Sequence, residues 1–204
     1  KLLINGNQYD RAVITTSPKI NKKILKNLSY KNKEVKYLGA LCGVLEFNKR
    51  PLPSYWLGIA DTNVKHNFNY KNFLAAISYS ELDEEWNKKG VPTWPLYLAT
   101  YCEKKDFLKF SNEEWKIKMI KAALELNKLS NIEQIKEDNI INIKLSFEEY
   151  AQPILSPSQD LVPNPESAKY CYFANMHNIF PNDRGQNRSF FLGKKISKMI
   201  LNDF

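Results

Sequence analysis

The last quarter of the chain, residues 170–200, constrains the fold more than any other stretch. YCYFA, residues 170–174, is an apolar run of strand length. A polar loop follows, and Asp183-Arg184-Gly185-Gln186-Asn187 then opens a segment whose apolar residues recur at helical spacing. This order predicts a buried strand, a loop and an amphipathic helix, with Asn182 or Asp183 as the cap. A helix entered through a small-residue turn leaves backbone N–H groups bare at its positive end. That is a place to hold an anion or a polarised carbonyl.

Upstream, the apolar runs are short and broken by turn residues. Residues 1–17 read as a β-hairpin, with KLLI and RAVITT flanking Asn5-Gly6, and Ser17-Pro18 ends it. Pro18 suits the first turn of a helix running through Ile24 and Leu28. Strands are expected at 35–48, 54–60, 73–79, 96–102 and 139–150, with a polar loop at 61–72 and a proline-rich one at 154–166. Ser111-Asn112-Glu113-Glu114 is a capping box. Trp115, Met119, Ala122, Ala123 and Leu126 form the apolar stripe of the helix behind it. The fold class is therefore α+β, with a mainly antiparallel sheet and helices in the middle of the chain.

The net charge of +8 and pI near 9.2 raise nucleic acid as a partner. Only four of the thirty basic residues are Arg, and the Lys are scattered among 22 Asn. A solvated lysine-rich surface accounts for that pattern, so no nucleic-acid partner is expected. The longest apolar run, 37–47, is interrupted by Gly39, Gly43 and Glu46. It is far short of the roughly 20 residues of a membrane span. Cys42, Cys102 and Cys171 have no metal-ligand spacing and read as buried free thiols of a reducing, cytoplasmic compartment. His66 and His177 stand apart from them, so no metal site is expected. The pairs Glu84-Glu85, Glu113-Glu114 and Glu148-Glu149 are solvated faces and caps rather than acid–base dyads. The chain opens at Lys1, inside an apparent strand, which suggests a piece of a longer polypeptide or a trimmed one.

What remains is a set of strings in order: DRAVITTSP (10–18), VKYLGALCGVLEFNKRPLPSYWLGIAD (35–61), YAQPI (150–154) and YFANMHNIFPNDRGQN (172–187). Together they resemble the C-terminal half of the flavin-dependent amine oxidase superfamily. The similar branch is that of bacterial oxidoreductases related to protoporphyrinogen oxidase and UDP-galactopyranose mutase. The resemblance implies an FAD-binding hairpin and helix at 1–36, a substrate domain at 37–150, and a returning FAD segment at 151–204. With only seven glycines, the chain holds no Gly-rich dinucleotide turn, and an N-terminal dinucleotide-binding half would have to supply it. In such proteins a helix like that after Asn187 faces the flavin, where its positive end favours negative charge on the reduced ring.

The resemblance implies FAD contacts from Asn175, Asp183, Arg184, Gly185, Gln186 and Asn187. Gly185 would allow close backbone approach, and Gly193 close helix packing. Trp56, Tyr150 and Gln152 would meet a small-molecule substrate, with Tyr55 and Asn63 near them. Residue by residue, ordinary readings also stand: a capped surface helix for the tail, and core packing for Trp56 and Tyr150. Relatives carry a Glu-His-Thr-Asn-like string on the third strand, where this chain has Ser78-Tyr79-Ser80-Glu81, so no substrate transfers. The expected function is the C-terminal portion of an FAD-dependent oxidoreductase. The alternatives are a non-redox isomerase of the mutase type, which needs arginines for a diphosphate where only Arg50 is available, and a non-catalytic binding domain.

Overall fold

The computed structural model describes residues 2–17, 19–21, 36–59, 73–82, 93–154, 166–168, 170–179, 182 and 185–202. The expected helix through Ile24 and Leu28, the loop at 61–72 with Asn63 and His66, the Glu84-Glu85 pair, and most of the loop at 154–166 lie outside them, as do Asp183 and Arg184. The chain divides into two compact units. A terminal unit combines Lys1–Tyr37 with Pro153–Phe204, and a central unit spans Leu38–Gln152.

The central unit is a five-stranded sheet with helices. Its strands are β4 (Lys36–Phe47), β5 (Trp56–Gly58), β6 (Ala75–Ser78), β7 (Trp94–Cys102) and β8 (Ile140–Ile154), in spatial order β5-β6-β7-β4-β8. Registers such as Leu41↔Thr100, Leu45↔Leu96 and Ile77↔Tyr97 are antiparallel. Contacts of Asn139 with Asn48, Asn142 with Glu46 and Ser146 with Cys42 run the same way between β8 and β4. Side chains alternate along a strand. Leu41, Leu45, Phe47, Leu96 and Leu98 therefore share one face, and all are fully buried there.

That face is covered by α1 (Lys104–Phe107) and α2 (Asn112–Leu129). Helix α2 begins where its capping box predicts. The Ser111 Oγ accepts from the Glu114 N–H at 3.2 Å, and the Glu114 carboxylate accepts the Ser111 N–H at 2.7 Å. The expected stripe of Trp115, Met119, Ala122, Ala123 and Leu126 is the buried one. Gly39 and Gly43 lie on the same face of β4, and a Cβ there would collide with the Phe147 ring and the Met119 thioether respectively. These glycines are packing notches rather than breaks in the strand.

The terminal unit differs from expectation at its start. Asn5-Gly6 does turn a hairpin, both residues having positive φ (50° and 82°), which suits a primed turn. Its arms are β1 (Leu2–Ile4) and β2 (Asn7–Tyr9), not KLLI and RAVITT. The AVI segment is a separate strand, β3 (Ala12–Ile14), paired parallel with β10 (Cys171–Phe173) from the far end of the chain. With β9 (Glu166–Ala168) they form a sheet of order β3-β10-β9. The predicted strand at 170–174 is β10, buried throughout. After it come, among the described residues, a 3-10 turn, Met176–Ile179, and α3 (Gln186–Asn202). Leu192 and Ile196 of α3 pack on Tyr172 and Ala174. Of the three thiols only Cys171 is buried. Cys42 and Cys102 are half-exposed, and burial pushes all three thiols up from their ordinary values.

Candidate functional site

The described residues singled out by sequence lie at or near two surfaces, one in each unit, and not all of them are brought together.

In the terminal unit, β3 and β10 run parallel, so their carboxyl ends, at Thr15 and Asn175, lie together. A cavity of about 490 Å³ opens there. Val13, Thr15, Ala174 and Asn175 line it from the strands, and Ser189, Gly193 and Ile196 from α3. Crevices at the carboxyl ends of parallel strands are where open α/β sheets bind ligands. Asn175 is 5% exposed. Its Oδ1 accepts the His177 N–H at 3.1 Å, and its own N–H donates to Asn178 Oδ1 at 3.1 Å, which shapes the turn. Its Nδ2 has no partner among the described residues. A buried amide donor left unpaired beside a cavity costs about 1–3 kcal/mol, a cost that a ligand oxygen would remove.

The start of α3 differs from expectation. The helix begins at Gln186, and the Gly185 carbonyl accepts the Ser189 N–H at 3.1 Å, so Gly185, not Asn182 or Asp183, is the residue that precedes the first turn. Gly185, Gln186 and Asn187 are exposed and border the helix terminus without lining the cavity. Asn187 is spent locally, its Oδ1 accepting the Arg188 N–H at 2.8 Å. Gly193 permits no close helix contact: a Cβ there would meet only open space.

In the turn after Asn175, His177 is 2% exposed. Its Nε2 lies 3.2 Å from the Tyr37 hydroxyl, with the rings edge-on at 5.5 Å, and its Nδ1 has no partner among the described residues. Burial disfavours the imidazolium and lowers the pKa from 6.5 to about 4. The folded state therefore takes up a proton at lower pH than the unfolded one. Stability is complete above about pH 6.5 and is lost as pH falls towards 4, at up to about 1.4 kcal/mol per pH unit. Thermal melts of wild type across that window should show the decline, and His177→Asn should flatten it. An acid decline unchanged in the variant would assign the effect to carboxylates.

In the central unit, alternation places Trp56, Ile77, Tyr97, Ala99, Cys42 and Val44 on the sheet face opposite α2, where each is half-buried or exposed. Tyr150 joins them: Phe147 points into the core, so Glu148 and Tyr150 point away. Trp56 is on the edge strand β5 and Tyr150 on the opposite edge strand β8. Four strand spacings separate them across the sheet, about 19 Å, and they are offset along the strands as well. The structure thus puts both on one face without bringing them together. Gln152, one residue before Pro153, is extended within β8, which runs on through YAQPI instead of ending at Tyr150.

Around Trp56 the rings are linked. Trp56–Tyr55 centroids are 6.5 Å apart, Tyr55–Tyr79 5.7 Å and Tyr79–Tyr97 5.0 Å. Tyr79 and Tyr97 escaped the sequence reading, although Tyr79 lies in the Ser78-Tyr79-Ser80-Glu81 string that departs from the relatives' pattern. The string is a 3-10 turn, Tyr79–Glu81, held by the Arg50 guanidinium, which grips the Glu81 carboxylate with both Nε and Nη2. Ser78 and Ser80 are buried with their hydroxyls 3.1 Å apart. Arg50 is therefore committed to Glu81.

No protein-family model matches the sequence, and no curated protein matches it. Among solved structures, a crystal structure of a protein from Exiguobacterium sp. 255-15, described as a protoporphyrinogen oxidase, is similar in fold with a TM-score of 0.65. The match covers 96% of this chain and 42% of that one at 9% identity, which shows a shared fold. The chain thus spans less than half the length of that neighbour. Among the described residues, no helix is long and apolar enough to cross a membrane.

Proposed function

We propose that this chain is the C-terminal portion of an FAD-dependent oxidoreductase. It would contribute the substrate-facing sheet and the strand–turn–helix segment that meets the flavin. The observation that carries this reading is the cavity at the carboxyl ends of β3 and β10, with the unpaired Asn175 amide at its edge. The fold likeness to a protein described as a protoporphyrinogen oxidase supports the same reading.

The residues present fit part of such a cofactor. Asn175 Nδ2 would donate to a ribityl or phosphate oxygen. The N–H groups at Gly185, Gln186 and Asn187 would favour negative charge through the dipole of a 17-residue helix. Asp183 and Arg184 would complete the contact, Arg184 to a phosphate. FAD, when bound, supplies the acceptance of a hydride or of electrons, which no side chain here can do. Trp56, with Tyr55, Tyr79 and Tyr97, would form one part of the wall against a small-molecule substrate, and Tyr150 and Gln152 a separate part.

The dinucleotide-binding half would dock at β3. That strand is the edge of its sheet among the described residues, and an open strand edge is a template for a further strand. The two bonds that tie its ends, from Ala12 N–H to Tyr170 and from Ala174 N–H to Ile14, both lead to the β10 side. Val13 is exposed over the first cavity, and a second cavity of about 460 Å³ lies between β3 and Leu2–Asn5. A strand added at this edge would bury both. The mutase-type alternative is weakened, because Arg50, the one arginine of the central unit, is held by Glu81.

In the full polypeptide, Asn175→Leu should lower flavin affinity about tenfold to a hundredfold, the loss of one buried donor bond to a charged or strongly polar oxygen. Flavin fluorescence titration checks this, with circular dichroism to verify folding. Unchanged affinity in a folded variant would remove Asn175 from the site.

A further inference from the structure

Helix α3 carries Arg188, Lys194, Lys195 and Lys198 and no carboxylate among its 17 residues. Phe191, Lys194, Lys195 and Lys198 are spaced i, i+3, i+4 and i+7, so they share one face. Leu192 and Ile196, the buried residues of the helix, lie on the other side. Phe191 is 63% exposed, and the Arg188 guanidinium lies 5.8 Å from its ring centroid. Between these side chains runs a shallow groove of about 370 Å³, lined by Phe191, Lys194, Lys195, Lys198, Met199 and Asn202. It shares no residue with the Asn175 cavity, which lies on the opposite flank of the helix.

We propose that this face of α3 docks on an anionic membrane surface, with Lys194, Lys195 and Lys198 meeting lipid phosphates and Phe191 entering the acyl boundary. Two features choose the occupant. The first is charge: an all-cationic helix face complements an anionic headgroup layer, and lysine stems are long enough to lie along apolar surface while their ammonium groups reach water or phosphate. The second is the apolar floor of Phe191 and Met199, which a lipid chain would cover and a phosphodiester backbone would not. A helix with a basic rim and an exposed aromatic residue lies in the interface without spanning it. This inference does not depend on the flavin reading.

The test is vesicle flotation of the full natural polypeptide containing this chain, using phosphatidylcholine vesicles and vesicles of equal parts phosphatidylcholine and phosphatidylglycerol. Binding is expected to the anionic vesicles only, and to fall as salt rises. The triple variant Lys194→Gln/Lys195→Gln/Lys198→Gln should lower partitioning about a hundredfold, from about fivefold per lysine near such a surface. The corresponding triple Lys→Arg variant should retain binding, which separates loss of charge from loss of fold. Phe191→Ser should weaken binding while leaving its salt dependence. Four outcomes would overturn the proposal: no flotation, equal flotation with neutral vesicles, an unaffected glutamine variant, or binding of a single-stranded oligonucleotide in place of lipid.

Discussion

Trp115→Ala should destabilise the central unit by about 3–5 kcal/mol, the range for deleting a buried indole. Trp115 joins three elements. Its ring lies parallel to Phe107 of α1 at 6.3 Å and edge-on to Phe110 at 5.1 Å. Phe107 in turn stacks on Phe147 of β8 at 4.2 Å. The indole N–H donates to the Phe107 carbonyl at 2.9 Å. Truncation would leave a cavity between helix and sheet and remove the shorter of the two bonds to that carbonyl, the other coming from the Phe110 N–H at 3.4 Å. Trp115→Phe keeps most of the packing and should recover more than half of the loss. Urea denaturation measures both. A loss below about 1 kcal/mol for the alanine variant would mean that the aromatic stack does not organise this core.

Asn127→Leu should cost about 2–5 kcal/mol, although leucine has the same branched outline as asparagine and suits a helix better. Asn127 is buried near the end of α2. Its Nδ2 donates to the Pro51 carbonyl at 2.9 Å and to the Glu133 carbonyl at 3.3 Å, and its Oδ1 accepts the Ile135 N–H at 2.9 Å. Leucine would leave these backbone groups unpaired, each at about 1–3 kcal/mol where buried. The nearby Lys49–Glu133 pair is exposed, so Lys49→Ala should cost less than about 1 kcal/mol. The clamp also bears on the site, because Pro51 begins the segment that leads into β5 and Trp56. Hydrogen exchange at the Ile135 amide should accelerate in Asn127→Leu. An amide as protected as in wild type would show that the clamp is redundant.

The features legible in the sequence are those set by neighbours along the chain. The Ser111–Glu114 box and the stripe from Trp115 to Leu126 follow from helical periodicity, and the antiparallel strands from short apolar runs between turn residues. The pairing of β3 was not legible, because its partner Cys171–Phe173 comes from the far end of the chain, while the local Asn5-Gly6 signal favoured a longer hairpin. Gly39 and Gly43 looked like interruptions because the Phe147 and Met119 side chains they accommodate are distant in sequence. The site divides in the same way. Asn175 and Trp56 could be named from the motifs around them. The link from Trp56 through Tyr55 and Tyr79 to Tyr97 depends on three strands coming together. The Tyr37–His177 pair joins positions 140 residues apart.

The central claim is that this fold works as one half of a flavoenzyme. Intact mass and visible absorbance of the protein purified from the whole gene test it most directly. The account predicts a chain longer than these 204 residues that is yellow, with about one flavin released per chain on denaturation. A colourless product that neither contains flavin nor takes it up on titration would contradict the account and leave the fold likeness as ancestry alone.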